Sequence, residues 1–204
     1  MTKGRSSRSP RLEVRALEAG DFAALEQLFG ARGACGGCWC MAWRLPHKIW
    51  EERRGDLNKR ALRKLVQSGK ASGVLAFAGG RAVGWCSVGP RADFVGLEAK
   101  RSLATDWDER TWSVTCFYTE KEWRGQGLGR ALLAAAVELA KRHGATRIEG
   151  YPASPPKDGG DLPPAFAWTG LPSVFERCGF RPLADTPGKR PIYVKRLKQR
   201  SSRA

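Results

Sequence analysis

The eight residues Trp123-Arg124-Gly125-Gln126-Gly127-Leu128-Gly129-Arg130 constrain this chain more than any other stretch of it. They sit at a junction between two readable elements. Ahead of them, Thr111-Trp112-Ser113-Val114-Thr115-Cys116-Phe117-Tyr118-Thr119 is rich in β-branched and aromatic side chains and reads as a buried strand. Behind them, Leu128, Leu132, Ala136 and Leu139 recur at helical spacing in an alanine-rich run that ends at His143-Gly144. Glycines between a strand and a helix leave backbone N–H groups unshielded at the positive end of the helix, an arrangement that binds phosphate. Arg124 and Arg130 add full positive charge beside those amides. A tight turn without a ligand is the bland alternative, but strand, glycines and helix stand in the order that a phosphate loop needs.

Three phosphate-loop patterns compete for this stretch. A Walker A loop needs Lys and then Ser or Thr after its last glycine, and here Arg130 follows Gly129. A dinucleotide fingerprint counted from Gly125 needs glycine where Arg130 stands. The third pattern fits. Arg124-x-x-Gly127-x-Gly129 resembles the pyrophosphate-binding motif of the GNAT acyltransferases, the superfamily that moves acetyl groups from acetyl-CoA. The resemblance covers roughly residues 11–197 and is densest from Trp112 to Tyr151.

Composition sets the outer bounds. A chain of 204 residues with 42% hydrophobic side chains can build one real core, and residues 11–197 read as one domain between basic disordered tails at 1–10 and 198–204. No stretch approaches the roughly 20 apolar residues that span a membrane, and the basic first ten residues lack the apolar segment of a secretory signal, so a cytoplasmic location is expected. The net charge of +16 would attract polyanions. Part of it lies in the tails. Part lies on the solvent face of a basic helix, where Arg53, Arg54, Lys59, Arg60, Arg63 and Lys64 stand opposite a stripe of Leu57, Ala61, Leu62, Leu65 and Val66. Basicity alone therefore does not establish a nucleic-acid partner.

The cysteines are Cys35, Cys38, Cys40, Cys86, Cys116 and Cys178. Cys86, Cys116 and Cys178 fall in apolar segments and read as small buried hydrophobes. Cys35, Cys38 and Cys40 supply three thiols, with His47 the nearest fourth ligand, but the second Cys or His pair of a structural zinc site is missing. No metal is expected. The GNAT resemblance, in which the first two helices and their connection cover the acceptor side, implies that this Trp- and Cys-rich stretch walls the acceptor pocket through Trp39, Cys40 and Trp43, with Tyr151 and Trp168 as further pocket residues.

The remaining elements alternate. Leu12–Arg15 reads as a strand, and Asp21 stands where it can cap a helix reaching Phe29. The basic helix spans about Trp50 to Ser68. Gly79-Gly80 marks a hairpin, and Pro90 to Arg110 is polar and irregular. A strand over Thr146–Tyr151 follows the helix behind the glycine loop. Six of the twelve prolines lie between Pro152 and Pro172, which excludes a regular element there. Ser173 opens a last helix that stops at Gly179, and Pro191–Leu197 is a last strand.

The resemblance implies an α/β (α+β) GNAT fold, a mixed and mostly antiparallel central sheet with helices on both faces. It implies acetyl-CoA as acyl donor, an unidentified amine as acceptor, and direct attack of the amine on the thioester. The cofactor contacts it implies are the backbone of Phe117, Tyr118 and Thr119, the loop residues Arg124, Gly125, Gln126, Gly127, Leu128, Gly129 and Arg130, and Phe175. At Phe175 the family often carries a tyrosine that protonates the departing thiolate, and a phenyl ring has no such proton. Glu149 is the first expected base and Glu120 the second, with Tyr118 or Tyr151 as substitute acids. A CoA-binding module without catalysis and a basic nucleic-acid-associated protein remain as alternatives, and the oligomeric state stays open, a homodimer included.

Overall fold

The computed structural model describes residues 11–154, 162, 166–186 and 190–198. The expected tail at 1–10, all but Lys198 of the expected tail at 198–204, and most of the proline-rich stretch lie outside the described residues. The strands are β1 (Leu12–Ala16), β2 (Gly73–Ala78), β3 (Arg81–Pro90), β4 (Thr111–Thr119), β5 (Arg147–Gly150), β6 (Arg181–Pro182) and β7 (Tyr193–Arg196). They form a seven-stranded sheet in the order β1-β2-β3-β4-β5-β7-β6. Pairing is antiparallel except between β4 and β5, which run parallel. The helices are α1 (Phe22–Phe29), α2 (His47–Glu52), α3 (Asp56–Gln67), α4 (Val95–Glu98), α5 (Leu128–Arg142) and α6 (Pro172–Arg177).

Alternation along β2 divides the core. Val74, Ala76 and Ala78 face α5, whose Leu128, Leu132, Leu133 and Ala136 are buried against them. Leu75 and Phe77 face the other way, onto Leu25 and Phe29 of α1, Leu62 and Val66 of α3, and the Trp39–Met41 segment. Each half buries enough apolar surface to order the helices that cover it. Gly84 lets α5 approach closely, because a Cβ there would lie 2.9 Å from Leu128 and 3.2 Å from Leu132.

Three local expectations needed revision. The basic helix is interrupted: Gly55, with φ of +84°, separates α2 from α3, and its N–H bonds to the Gly37 carbonyl. Asp21 does not cap α1 through its side chain. Its carboxylate is taken by Arg15, at 2.6 and 2.8 Å, and by the Glu18 N–H. α6 begins at Pro172 rather than Ser173, a position where a missing N–H costs nothing. The Gly79-Gly80 hairpin stands as expected, both glycines having positive φ.

Candidate active site

The site is built where β4 parts from β5. Thr111 to Val114 pair with Arg147 to Gly150, and there the pairing ends. The cause lies on the other edge of β4. Against β3, Ser87 pairs with Cys116 but Val88 with Val114, so Thr115 is an extra residue, a β-bulge. Thr115 Oγ1 is held 3.1 Å from Ser87 Oγ, which fixes the bulge. Beyond it β4 stays with β3 and leaves β5, opening a wedge along Cys116 to Thr119.

The glycine loop lies at the far end of that open edge. Lys121–Trp123 makes one 3-10 turn, and α5 starts at Leu128 with Gly127 as its cap residue. Gly125 and Gly127 have φ of +73° and +81°, and a Cβ built on either would meet no atom within 4 Å. Intrachain packing thus leaves clear space above them, at the unpaired N–H groups of the first helical turn. Arg124 Nε donates to the Thr119 carbonyl at 3.1 Å and Gln126 Nε2 to the Glu122 carbonyl at 2.5 Å, bracing the loop. Leu128 is buried, Gly129 is half-buried beside Val174, and Arg130 is exposed. These residues fit a pyrophosphate.

The wedge itself holds part of the chain. Trp168, Thr169 and Gly170 return from the proline-rich stretch and lie between the parted strands. The Phe117 N–H donates to the Trp168 carbonyl at 2.6 Å, and the Ala153 N–H donates to the Gly170 carbonyl at 3.0 Å. Phe175 closes the wedge from the α5 side. Its ring is fully buried and stands edge-on to Phe117 and Phe180, with centroids 6.1 and 5.1 Å away. A Cβ on Gly150 would lie 2.0 Å from this ring and one on Gly170 2.8 Å from it. Both glycines are therefore required by the ring, which is a core element.

On the opposite face the expected pocket residues divide into two groups. Trp43, Tyr151 and Trp168 come together, with Trp43 and Trp168 stacked at 5.9 Å. Trp39 and Cys40 lie instead in the neighbouring core, where Trp39 packs between Phe22 and Phe29 and is only 3% exposed. Tyr118 is half-buried, its ring edge-on to Phe29 at 5.6 Å. Among the described residues, no group of three or more His, Cys, Asp or Glu side chains is placed to hold a metal ion.

Glu149 is wholly buried in a charged network. It pairs with Arg147 at 2.6 Å and Arg91 at 3.6 Å, and accepts from Thr105 at 3.0 Å and Tyr151 at 2.9 Å. The Tyr151 hydroxyl also accepts from Arg91 at 2.6 Å and lies 2.9 Å from Ser113 Oγ. Burial, reinforced by the Glu149 charge, pushes the Tyr151 phenol far up. The lone pairs of Glu149 are engaged, so the geometry gives it the role of an anchor more than that of a free base. Glu120 differs. Arg81 holds its Oε1, while Oε2 is buried with no hydrogen-bond partner. Arg91, at the centre of the network, gave no signal in the sequence, where it is one basic residue in an irregular polar stretch.

The Acetyltransferase (GNAT) family model matches residues 39–153. No curated protein matches the chain. Among solved structures it is similar to PaiA N-acetyltransferase from Thermoplasma acidophilum in complex with coenzyme A, at 18% identity over 92% of this chain and 99% of that one, with a TM-score of 0.54. YncA from Salmonella typhimurium, solved with its cofactor acetyl-CoA, is 17% identical over 94% of this chain and 96% of its own, with a TM-score of 0.55. The ribosomal-protein-alanine N-acetyltransferase from Brucella melitensis is 18% identical over 91% and 99%, with a TM-score of 0.53. At these identities the likeness is one of fold. The family match is the stronger finding: it spans more than half of the chain, from Trp39 past the bulged strand and glycine loop to Ala153, and by it the chain belongs to the GNAT acetyltransferase family of acyltransferases.

Proposed function

We propose that this protein transfers an acetyl group from acetyl-CoA to an amine by direct attack of the amine on the thioester. One observation carries the reading. A single open strand edge, made by the Thr115 bulge, leads from the exposed N–H groups of α5 to the Phe117 amide. A pyrophosphate at the loop would place the extended pantetheine arm along Thr119 and Phe117, pairing as an added strand does. The two structures of similar fold that hold coenzyme A and acetyl-CoA support a donor of this kind.

The Phe117 N–H would then polarise the thioester carbonyl as negative charge builds on its oxygen. The Trp168 carbonyl now accepts that N–H, so acetyl-CoA binding must replace one acceptor by another at the same donor. The amine must arrive neutral, which costs roughly 4–5 kcal/mol at pH 7 for a lysine-like group. We assign its proton to Glu120 ahead of Glu149, because Glu120 keeps one oxygen without a donor. Glu120 lies three residues past Phe117, about 10 Å along an extended strand, so the transfer runs through water. Glu149 then holds Tyr151 and Arg91 under the acceptor face. Phe175 cannot supply the acid, but a thiolate of a group with pKa near 8.5 leaves at neutral pH without one. Six free cysteines suit the reducing cytoplasm expected from the sequence.

The test is a screen of amines with acetyl-CoA that follows free thiol release. Release that depends on the amine supports the reading, and release at one rate with or without every amine refutes it. A CoA-binding module without catalysis is the second reading, favoured by Phe175 and by the occupied Phe117 amide. It predicts CoA binding with no thiol release at all.

A further inference from the structure

The acyl-transfer path uses none of the six thiols, yet two of them meet beneath it. Cys40 Sγ and Cys116 Sγ lie in contact at 3.5 Å although the residues are 76 apart in sequence. Nothing in the fold's connectivity requires this meeting. Cys116 faces this side because it follows the Thr115 bulge, and it directly precedes Phe117, the donor to the thioester carbonyl. Cys40 is brought there by unusual backbone. Trp39 and Cys40 both have left-handed φ, +47° and +53°, which ordinary side chains avoid. The Trp85 indole N–H donates to Cys40 Sγ at 3.2 Å. Cys40 is buried and Cys116 is half-buried, its backbone lying on the edge of β4 that β5 leaves.

We propose that Cys40 and Cys116 are an oxidative modification site, forming a reversible disulfide with hydroperoxides as the oxidant and slowing acyl transfer when joined. Covalent sulfurs stand about 2.05 Å apart, so joining them brings the two sulfurs about 1.5 Å closer and pulls the Cys40 segment and β4 toward each other. The displacement falls one residue from the Phe117 amide, where an error of about 1 Å is enough to cost much of the rate. The chemistry balances with peroxide alone. The Cys40 thiolate attacks one peroxide oxygen, the O–O bond breaks, and the departing hydroxide leaves as water, giving a sulfenic acid. The Cys116 sulfur then attacks the Cys40 sulfur, the S–O bond breaks, and a second water leaves with the Cys116 proton. Two thiols lose two electrons and the peroxide gains them. Hydrogen bonding to Cys116 and Trp85 lowers the Cys40 thiol, against its burial, while the bond to Cys40 and burial raise Cys116, so the roles of attacking thiolate and resolving thiol are consistent with the contact.

The slowing of turnover rests on the acyl-transfer reading, whereas the cross-link does not, and the experiment reads them separately. The full chain is treated with hydrogen peroxide, blocked with N-ethylmaleimide, and digested without reductant for mass spectrometry. The expected result is a peptide pair joining the Cys40 and Cys116 segments, lighter by two hydrogens, released by dithiothreitol and absent in Cys116→Ser. In parallel, acceptor-dependent thiol release falls about tenfold or more on oxidation and returns with dithiothreitol, whereas in Cys116→Ser peroxide leaves that variant's own untreated rate unchanged. Cys40 and Cys116 both recovered with N-ethylmaleimide after peroxide treatment, or oxidised without being joined to each other, would overturn the proposal. A cross-link with unchanged turnover would overturn its regulatory part. Untreated protein that releases no thiol with any amine counts against the acyl-transfer reading, and the peptide map still decides the cross-link.

Discussion

The Phe117 amide and the Trp168 carbonyl, 51 positions apart in sequence, form a hydrogen bond of 2.6 Å across the wedge between β4 and β5. An arm of the chain thereby holds the donor that the proposed reaction needs. Trp168 is itself stacked on Trp43, so movement of the arm alters an aromatic contact as well. Addition of acetyl-CoA should therefore change tryptophan fluorescence, and most of that change should vanish in Trp168→Phe. An identical change in the variant would mean that the arm stays in place when the ligand binds.

Gly127→Val should abolish CoA binding in a calorimetric titration. The residue's φ of +81° disfavours any side chain, and a β-branched one would occupy the clear space at the helix N-terminus. Arg124→Ala should weaken binding by about 1.5–3 kcal/mol, the worth of a charge-assisted hydrogen bond. Unchanged affinity in folded Gly127→Val would rule out the loop as the pyrophosphate site.

Phe175→Tyr, which adds only a hydroxyl to the ring, should destabilise the fold. The ring is fully buried between Gly150 and Gly170, and a hydroxyl without a partner there costs about 1–3 kcal/mol. Denaturant melts measure this directly. Undiminished stability together with a turnover gain of a hundredfold would show that a phenol finds its place at the sulfur and that the acid step limits the natural chain.

Glu149→Ala should cost about 3 kcal/mol or more in stability, because it leaves Arg91 buried beside an unfilled position. Glu120→Gln should leave stability nearly unchanged and lower the turnover number, with the loss greatest where the amine is protonated. If Glu149→Gln folds normally and loses turnover while Glu120→Gln does not, the base is Glu149.

Acid should weaken the fold through Asp21. Its hydrogen bond from Arg15, 2.6 Å long, holds the carboxyl below the usual carboxylate range. A depressed folded value means that the stabilisation is fully present above the unfolded value of about 3.9 and disappears as pH falls through the folded one. Asp21→Asn should therefore lower the melting temperature at pH 7, by an amount equivalent to about 1 kcal/mol, and should flatten the acid limb of the stability curve below about pH 4. An acid limb identical to that of the parent chain would remove Asp21 from the account.

Local patterns in the sequence carried the site's phosphate end. Strand, Gly125–Gly129 and the α5 stripe are contiguous, and both periodicity and positive φ are properties of nearby residues. The Gly79-Gly80 hairpin was legible for the same reason. The interruption at Gly55 was less so, because the apolar stripe continues across it and the N–H that leaves the helix is taken by Gly37, far away in sequence.

What the sequence by itself determined was the order of elements, the glycine loop and hence the family. What only the tertiary structure decided was which side chains meet. The extra residue at Thr115 is a mismatch between two strands, so it exists only once β3 and β4 are paired. The Arg91–Glu149–Tyr151 network, the Trp168 carbonyl on Phe117 and the Cys40–Cys116 contact each join segments separated by dozens of residues. Their formation depends on how the sheet's two faces are covered, and periodicity along one segment contains no information about the segment that packs on it.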